Sequence, residues 1–286
     1  MKKLPLVLTC LIAGVLVGLI FARFGKTDAP SVERLSVRDN VVRSGVLRCG
    51  YVNWKPYYYT ELKDGNTQPT GLNYDIMMEL GKVLDLKIDW VEEIGWGNIG
   101  EGFKTNRYDA VCTSAWIDAP KLKNLLLSRP IFYSAPQLYV RADDNRFDGN
   151  PERLNQPDVT FVVIDGAPLS PLVAEQFPSS KITALPQLVQ SAEYLMTVIT
   201  KKADVATMDP DEIKPFMAAN PGKLRAVSGV RPLRILPHIL ALPPSDPQFM
   251  AMMNAGLQVL IDNGVMEKIR KKYDTGYFVP APSFRE

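Results

Sequence analysis

The chain of 286 residues has a single histidine, His238, and only three cysteines, Cys10, Cys49 and Cys112, with no C-x-x-C among them. A zinc site built from the usual nitrogen and sulfur donors is therefore not indicated. No G-x-S-x-G elbow, H-E-x-x-H helix or Walker loop occurs, so the common signatures of a serine nucleophile, a metalloprotease and a phosphate cradle are absent. Internal repeats, low-complexity tracts and charge blocks are also missing. Neither sign of charge dominates. The 33 basic residues include Lys2, Lys3, Arg23 and Lys26 in the first 26 positions, which hold no acid; the remainder carries 29 basic against 31 acidic residues, a net charge of −2. A near-neutral folded part leaves no electrostatic footprint for nucleic acid. What is present is a globular composition, 46% hydrophobic and 22% charged, in a chain long enough for two domains.

The N-terminus carries the clearest local signal. Lys2 and Lys3 precede an uncharged stretch from Leu4 to Ala22, rich in Leu, Val and Ile. Nineteen helical residues span about 28 Å, close to the thickness of a bilayer core. That is longer than the apolar region of a cleaved signal peptide, and no good A-x-A-like site follows it. The expectation is an uncleaved, N-in anchor that exports the rest of the chain, with a long cleaved signal peptide as the alternative. Cys10 lies inside this segment, too early for a lipoprotein acceptor. Cys49 and Cys112 fall in expected strands and are read as buried thiols, with a cross-strand disulfide as the alternative.

Beyond residue 44, strands and helices alternate. Val46–Tyr51 is a short apolar strand, and the segment 57–69 reads as a turn or hairpin with its tip at Lys63–Asn66. A helix starts near Asn73, a suitable N-cap, with Ile76, Met77, Leu80, Val83 and Leu84 at helical spacing. Strands at Lys87–Val91 and Asp109–Ser114 flank a short helix around Asn98–Thr105. The second half repeats the alternation, through "VTFVVIDGAPLSPLVAEQF" and "DVATMDPDE", and ends in helices at Pro247–Asn263 and Val265–Tyr273. Such alternation argues a parallel sheet with helices packed on it. "GWGNIG" (Gly95 to Gly100) matches G-x-G-x-x-G, but it follows the second strand and opens a helix of barely eight residues. A dinucleotide fingerprint opens the first βα turn and a full-length helix, so no cofactor is expected.

The pieces "GVLRCGYVNWKPYYY", "PTGLNYDIMMELGKVLDLKIDWVEEI", "WGNIGEGFKTNRYDAVCTSAW" and "LLLSRPIF" together resemble the first lobe of the bacterial extracytoplasmic solute-binding proteins of family 3, the amino-acid receptors of ABC importers. The resemblance covers about residues 34–275. It implies an α/β, two-lobe periplasmic-binding-protein (Venus-flytrap) fold, with two parallel-type sheets and flanking helices, behind an N-terminal transmembrane or signal helix. The implied divisions are an anchor or signal (1–26), a lead-in segment (27–43), lobe 1 (44–140), lobe 2 (141–232), the return of lobe 1 (233–275) and an irregular surface tail (276–286). Crossings near Val140–Asp144 and Val230–Ile235 would form the hinge.

Carried over position by position, the family's ligand residues fall on Trp54 after the first strand, with Tyr51 beside it, on Trp96 after the second, and on Ser114, Ala115 and Trp116 after the third. Three of four tryptophans would then line one cleft, while Trp90 is read as core. The arginine that clamps a ligand carboxylate corresponds to Lys121, which keeps the charge but not the planar fork. Arg129 would be a guanidinium nearby. The anion-binding turn of lobe 2 becomes Gly166, Ala167 and Pro168, losing a hydroxyl and an amide donor. The acid that holds a ligand ammonium is retained as Asp209.

These positions point to capture of a small polar, cationic or aromatic, amino-acid-like ligand by lobe closure, handed to an ABC permease in the inner membrane. No cofactor, metal or catalysis is expected. The location would be periplasmic, tethered by residues 4–22, or soluble if the leader is cleaved. Two alternatives remain: a ligand-free or ligand-sensing module acting through a protein partner, and a dehydratase-like enzyme. The enzyme requires a carboxylate inside the cleft besides Asp209; Glu92, Glu93 and Glu101 are read as solvated surface.

Overall fold

Strand-forming and helix-forming segments sort into two sheets in the computed structural model, which describes residues 35–116 and 123–277. The first half runs α1 (Val37–Ser44), β1 (Val46–Tyr51), β2 (Tyr59–Lys63), β3 (Asn66–Thr70), α2 (Leu72–Leu84), β4 (Lys87–Glu93), α3 (Glu101–Lys104), β5 (Ala110–Ala115), β6 (Leu126–Leu127), β7 (Phe132–Ser134) and β8 (Gln137–Arg141). The second runs β9 (Thr160–Ile164), α4 (Leu169–Gln176), β10 (Lys181–Leu185), α5 (Ser191–Ile199), β11 (Val205–Met208), α6 (Pro210–Ala219), β12 (Leu224–Ala226), β13 (Leu236–Leu242), α7 (Pro247–Asp262) and α8 (Val265–Lys272). Residues 1–26, where the anchor is expected, lie outside the described residues. Among the described residues no helix is long and apolar enough to cross a membrane.

The first sheet has the order β4-β1-β5-β13-β6, with β7 also on β13; the second has the order β10-β9-β11-β8-β12. Neither is the parallel-type sheet expected. In the first, β1 is parallel to β4 and β5, but β13 runs antiparallel to β5, β6 and β7. In the second, β9 is parallel to β10 and β11, but β8 runs antiparallel to β11 and β12. The cause is connectivity. Parallel neighbours need a crossover such as a helix, whereas β8 and β13 arrive directly from the other sheet and enter it reversed. The chain leaves the first sheet at Ala135–Pro136, ahead of the Val140–Asp144 crossing expected, since β8 already belongs to the second. It returns between β12 and β13, a stretch that includes Val230–Ile235.

Local chemistry explains the elements that matter for the site. Helix α1 starts at Ser36, whose hydroxyl accepts from the Asp39 N–H at 3.0 Å, and stops at Gly45 with φ 66°. Helix α2 is not capped by Asn73 as expected. Gly71, at φ 126°, precedes it, and the amides of Leu72 and Asn73 donate to the carbonyls of Pro56 and Tyr57, each at 2.8 Å. The orphan donors of the first turn are thus satisfied by backbone, and the turn Trp54–Tyr58 is pinned to the helix. Any side chain at residue 71 would strike the Tyr57 carbonyl. Asn73 instead points into the core, where its Oδ1 accepts from Ser114 Oγ at 3.1 Å. Ile76, Met77 and Leu80 pack α2 onto α7, where a Cβ on Gly256 would come within 2.6 Å of Leu80 Cδ1.

Cys49 and Cys112 are joined by a disulfide, not held as free thiols. Their strands β1 and β5 are adjacent, Cys49 pairs with Ala110, and the two Cα atoms are 5.4 Å apart, a separation that suits the bond. Closing a 63-residue loop in the unfolded chain stabilises the fold by about 3–4 kcal/mol. Replacing both cysteines by alanine should therefore lower the unfolding free energy in urea by about that amount; equal stability with and without reductant would contradict the bond.

Candidate ligand-binding site

The C-terminal ends of the strands in both sheets face one another, the location where open α/β sheets bind ligands. From the first sheet come the turn after β1, the 3-10 turn Trp96–Asn98 after β4, and Ser114 to Trp116 at the end of β5. From the second come Gly166–Pro168 after β9 and Asp209 after β11, at the N-cap position of α6. Between them is a cleft of about 610 Å³ including its mouth. Its first-sheet wall is Trp54, Tyr57, Trp96, Trp116 and His238; its second-sheet wall is mostly aliphatic, with Val162, Ile164, Leu169, Val173 and Met208. Trp54 and Trp96 meet edge to face at 6.1 Å, and Trp116 stands at 5.2 Å from the His238 ring.

Beneath the tryptophans lies a buried acid network that joins the sheets. Asp209 is completely buried and Glu212, three residues on, lines the cleft on the same helix face. The Tyr57 hydroxyl is 3.0 Å from Asp209 Oδ2, 2.7 Å from Glu212 Oε1 and 3.0 Å from the Tyr277 hydroxyl. Trp54 Nε1–H donates to Glu212 Oε2 at 3.1 Å. Burial, reinforced by the neighbouring Asp209, holds the Glu212 carboxyl well above its ordinary value and favours its protonated form. That proton completes the network. Tyr57 has one hydrogen to give and two carboxyl oxygens beside it; with Oε2 accepting from Trp54, a proton held on Oε1 would supply the second bond. Burial also pushes Tyr57 and Tyr277 upward. His238 is pushed down by burial despite Asp209 Oδ2 at 3.7 Å from its Nε2, and stays neutral. Its Nε2 is 2.8 Å from Ser134 Oγ.

Several buried polar atoms have no partner among the described residues: Trp116 Nε1 and Thr207 Oγ1, both on residues that line the cleft, and Asp209 Oδ1 behind it. Such atoms are costly unless something else satisfies them. A backbone contact closes the rim. Gly97 N–H donates to Gln187 Oε1 at 3.1 Å, and a Cβ on Gly166 would lie 2.5 Å from Gly97 Cα. The glycines of "GWGNIG" serve this contact: a Cβ at Gly95 or Gly97 would come within 2.6 Å of the Gln187 side chain.

The expected site residues are only partly brought together. Trp54, Trp96, Ser114 and Trp116 line the cleft. Gly166 sits at its rim and Asp209 beneath it. Tyr51 does not reach it; its ring packs at 4.4 Å from Tyr58 and 6.0 Å from Trp90, on the aromatic cluster beside the edge strand β4. Lys121 lies outside the described residues. Arg129 turns away, its guanidinium bonded to Gln258 on α7. Glu92 and Glu101 pair with Arg107 and Lys104 at the surface. Sequence reasoning missed Glu212, Tyr57, His238 and Tyr277. The i, i+3 spacing of Asp209 and Glu212 at a helix start was the available signal. Tyr277, at the head of the stretch read as a surface tail, is instead buried against Phe132 and Tyr57.

Two mixed α/β lobes crossed twice by the chain, with a cleft between strand ends, define the periplasmic-binding-protein fold. Residues 47–276 match bacterial extracellular solute-binding proteins, family 3, and the chain belongs to that family. An ancestral amino acid-binding protein, described as a precursor of cyclohexadienyl dehydratase, is similar at 25% identity with a TM-score of 0.71, covering 84% of this chain and 100% of its own. The substrate-binding protein of an amino acid ABC transporter from Streptococcus pneumoniae, bound to L-arginine, is similar at 17% identity and TM-score 0.71, covering 84% and 98%. An ancestral arginine-binding protein bound to arginine shares 18% identity at TM-score 0.69, covering 81% and 99%. These last two show likeness of fold. No curated protein sequence matches the chain.

Because Glu212 holds its proton more tightly in the folded chain, its contribution to stability is complete at and below pH 4.5, its ordinary value, and is lost as pH rises toward the folded value. Glu212→Gln keeps the shape and a donor without that dependence. The melting temperature of the variant should gain on wild type as pH rises above 4.5; parallel curves would contradict a retained proton. His238 acts oppositely, its contribution fading below 6.5, equally in both proteins.

Proposed function

We propose that this chain is an extracytoplasmic receptor, tethered by residues 4–22, that captures a small amino-acid-like ligand with a cationic or aromatic body and delivers it to an ABC permease. The observation that carries this reading is the convergence of Trp54, Trp96 and Trp116 from one lobe onto Glu212 and Asp209 from the other, in a cleft whose rim closes backbone on backbone. Such an arrangement turns ligand contacts into lobe closure, because a ligand touching both walls stabilises the closed state. Aromatic faces contribute about 2 kcal/mol each to a desolvated cation. Recognition of the closed state by a permease is supported by family membership and by the transporter proteins the chain resembles.

Glu212 favours a second reading. A buried neutral carboxylic acid inside an aromatic cleft is what acid-assisted loss of water from a ligand requires, and it meets the condition set for a dehydratase-like enzyme. Mass spectrometry after incubation separates the two: a receptor returns its ligand unchanged, whereas an enzyme yields a product lighter by one water.

A ligand that binds only the folded state raises its melting temperature. A thermal-shift screen of the full-length protein against amino acids, amines and aromatic acids should find stabilising compounds, and Trp54→Ala with Trp96→Ala should abolish the shift. Gly166→Ala, which sets a Cβ against Gly97 at a positive φ of 70°, should leave the lobes folded but open. Its radius of gyration in small-angle scattering should increase, and its affinity should fall. An unchanged radius would contradict closure through this contact.

A further inference from the structure

We infer that the cleft receives an organic ammonium compound with an aromatic or aliphatic body and no carboxylate group, held by the tryptophan faces and the Asp209–Glu212 pair. This rests on the receptor reading above and narrows its ligand class. The first ground is the lack of a charged partner for an anion among the described residues; the donors without partners there, Trp116 Nε1 and Thr207 Oγ1, are neutral. Among the described residues that line the cleft there is no lysine or arginine, and Arg129 is engaged by Gln258. The turn after β9 has few donors to offer. Ala167 N–H donates to the Ile164 carbonyl at 3.0 Å, Pro168 has no N–H, and Ser170 Oγ donates to the same carbonyl at 2.6 Å. A carboxylate placed there meets no cation among the described residues to offset its desolvation.

The second ground is the sign of the charge. Asp209 and Glu212 are both acids, so the pair repels an anion and attracts a cation. Asp209 Oδ1 has no hydrogen-bond donor, though it is completely buried. The third ground is the wall. Trp54, Trp96, Trp116 and Tyr57 present ring faces and edges to the cleft, and Ile164, Val173 and Met208 an aliphatic floor. The faces suit a cation and the floor an apolar body.

Binding then has a proton consequence. An ammonium beside Glu212 favours the carboxylate, so the acid proton leaves to solvent as the cation enters, and charge is conserved. The other groups facing the pair do not compete. Tyr57 after β1, Tyr139 on β8, Tyr194 on α5 and Tyr277 after α8 are all pushed upward by burial and stay neutral. His238 on β13 is neutral, and Asp211 on α6 is paired with Lys214 at 2.6 Å. Affinity should therefore rise with pH from 4.5 upward until Glu212 is ionised without ligand.

Matched probes that differ only by the carboxylate test this on the full-length protein. Calorimetry would compare 2-phenylethylamine with L-phenylalanine, and agmatine with L-arginine, in phosphate and in Tris buffer. The amine of at least one pair should bind about ten-fold or more tightly than its amino acid, the low end of the cost of burying a carboxylate without a cationic partner. Its binding heat should differ between the buffers by a released proton, and Glu212→Gln should abolish that difference. An amino acid that binds as well as its amine overturns the inference and leaves the receptor reading standing. No binding by any amine, amino acid or aromatic acid overturns both.

Discussion

Tyr57 belongs to one lobe, and Asp209 and Glu212 belong to the other; the hydrogen bonds among them are what the rest of the structure depends on. Polar groups as deeply buried as these are tolerated only when satisfied, and each lobe supplies the partners that the other lacks. The arrangement reaches back into secondary structure on both sides. On one side, the amides that open α2 hold the Pro56 and Tyr57 carbonyls and fix the turn on which the Tyr57 ring stands. On the other, β11 delivers Asp209 to the head of α6, which places Glu212 one turn further along the same face. The C-terminal segment seals the junction. Tyr277 bonds the Tyr57 hydroxyl, and Gly276 N–H donates to Asp211 at 2.6 Å. Separation of the lobes would expose the carboxyl pair, and ionisation of Glu212 would leave Tyr57 one hydrogen short.

Around this junction the cleft is built for apolar contact, and the rim for close approach. A lobe interface without side chains at Gly97 and Gly166 lets main chain meet main chain, which brings Gln187 within reach of the Gly97 amide. The glycine-rich segment therefore has a mechanical use unrelated to phosphate. Closure, aromatic contact and acid pairing occur at adjacent points, so a ligand that bridges Trp54 and Glu212 would act on all three.

Much of this was legible in the chain. Alternating strand and helix signals pointed to sheets with packed helices, the family resemblance divided them into two lobes, and tryptophans placed just past strand ends marked the wall, because a large apolar ring at a loop position has few other uses. Asp209 was visible through the family resemblance, which assigns a ligand-holding acid to the end of β11. Other features were hidden for physical reasons. Tyr51 and Tyr57 both lie near the end of β1, and only tertiary packing decides that Tyr51 turns to Trp90 and Tyr57 to the acids. Glu212 in "MDPDE" looks like an ordinary acid in a first helical turn; its burial depends on a partner from the other lobe, more than 150 residues away. The antiparallel return of β13 comes from chain connectivity and leaves no trace in local pattern. Cys49 and Cys112 stand on neighbouring strands, a proximity that spacing alone does not reveal.

The central claim is that Glu212 carries a proton inside the closed interlobe network. Carbon-13 NMR of its carboxyl group, assigned by loss of the signal on substitution, measures this directly across a pH titration. The account predicts a resonance that keeps the protonated shift through neutral pH, with a midpoint well above 4.5. A midpoint at the ordinary value would mean an ionised, solvated side chain and would contradict the account.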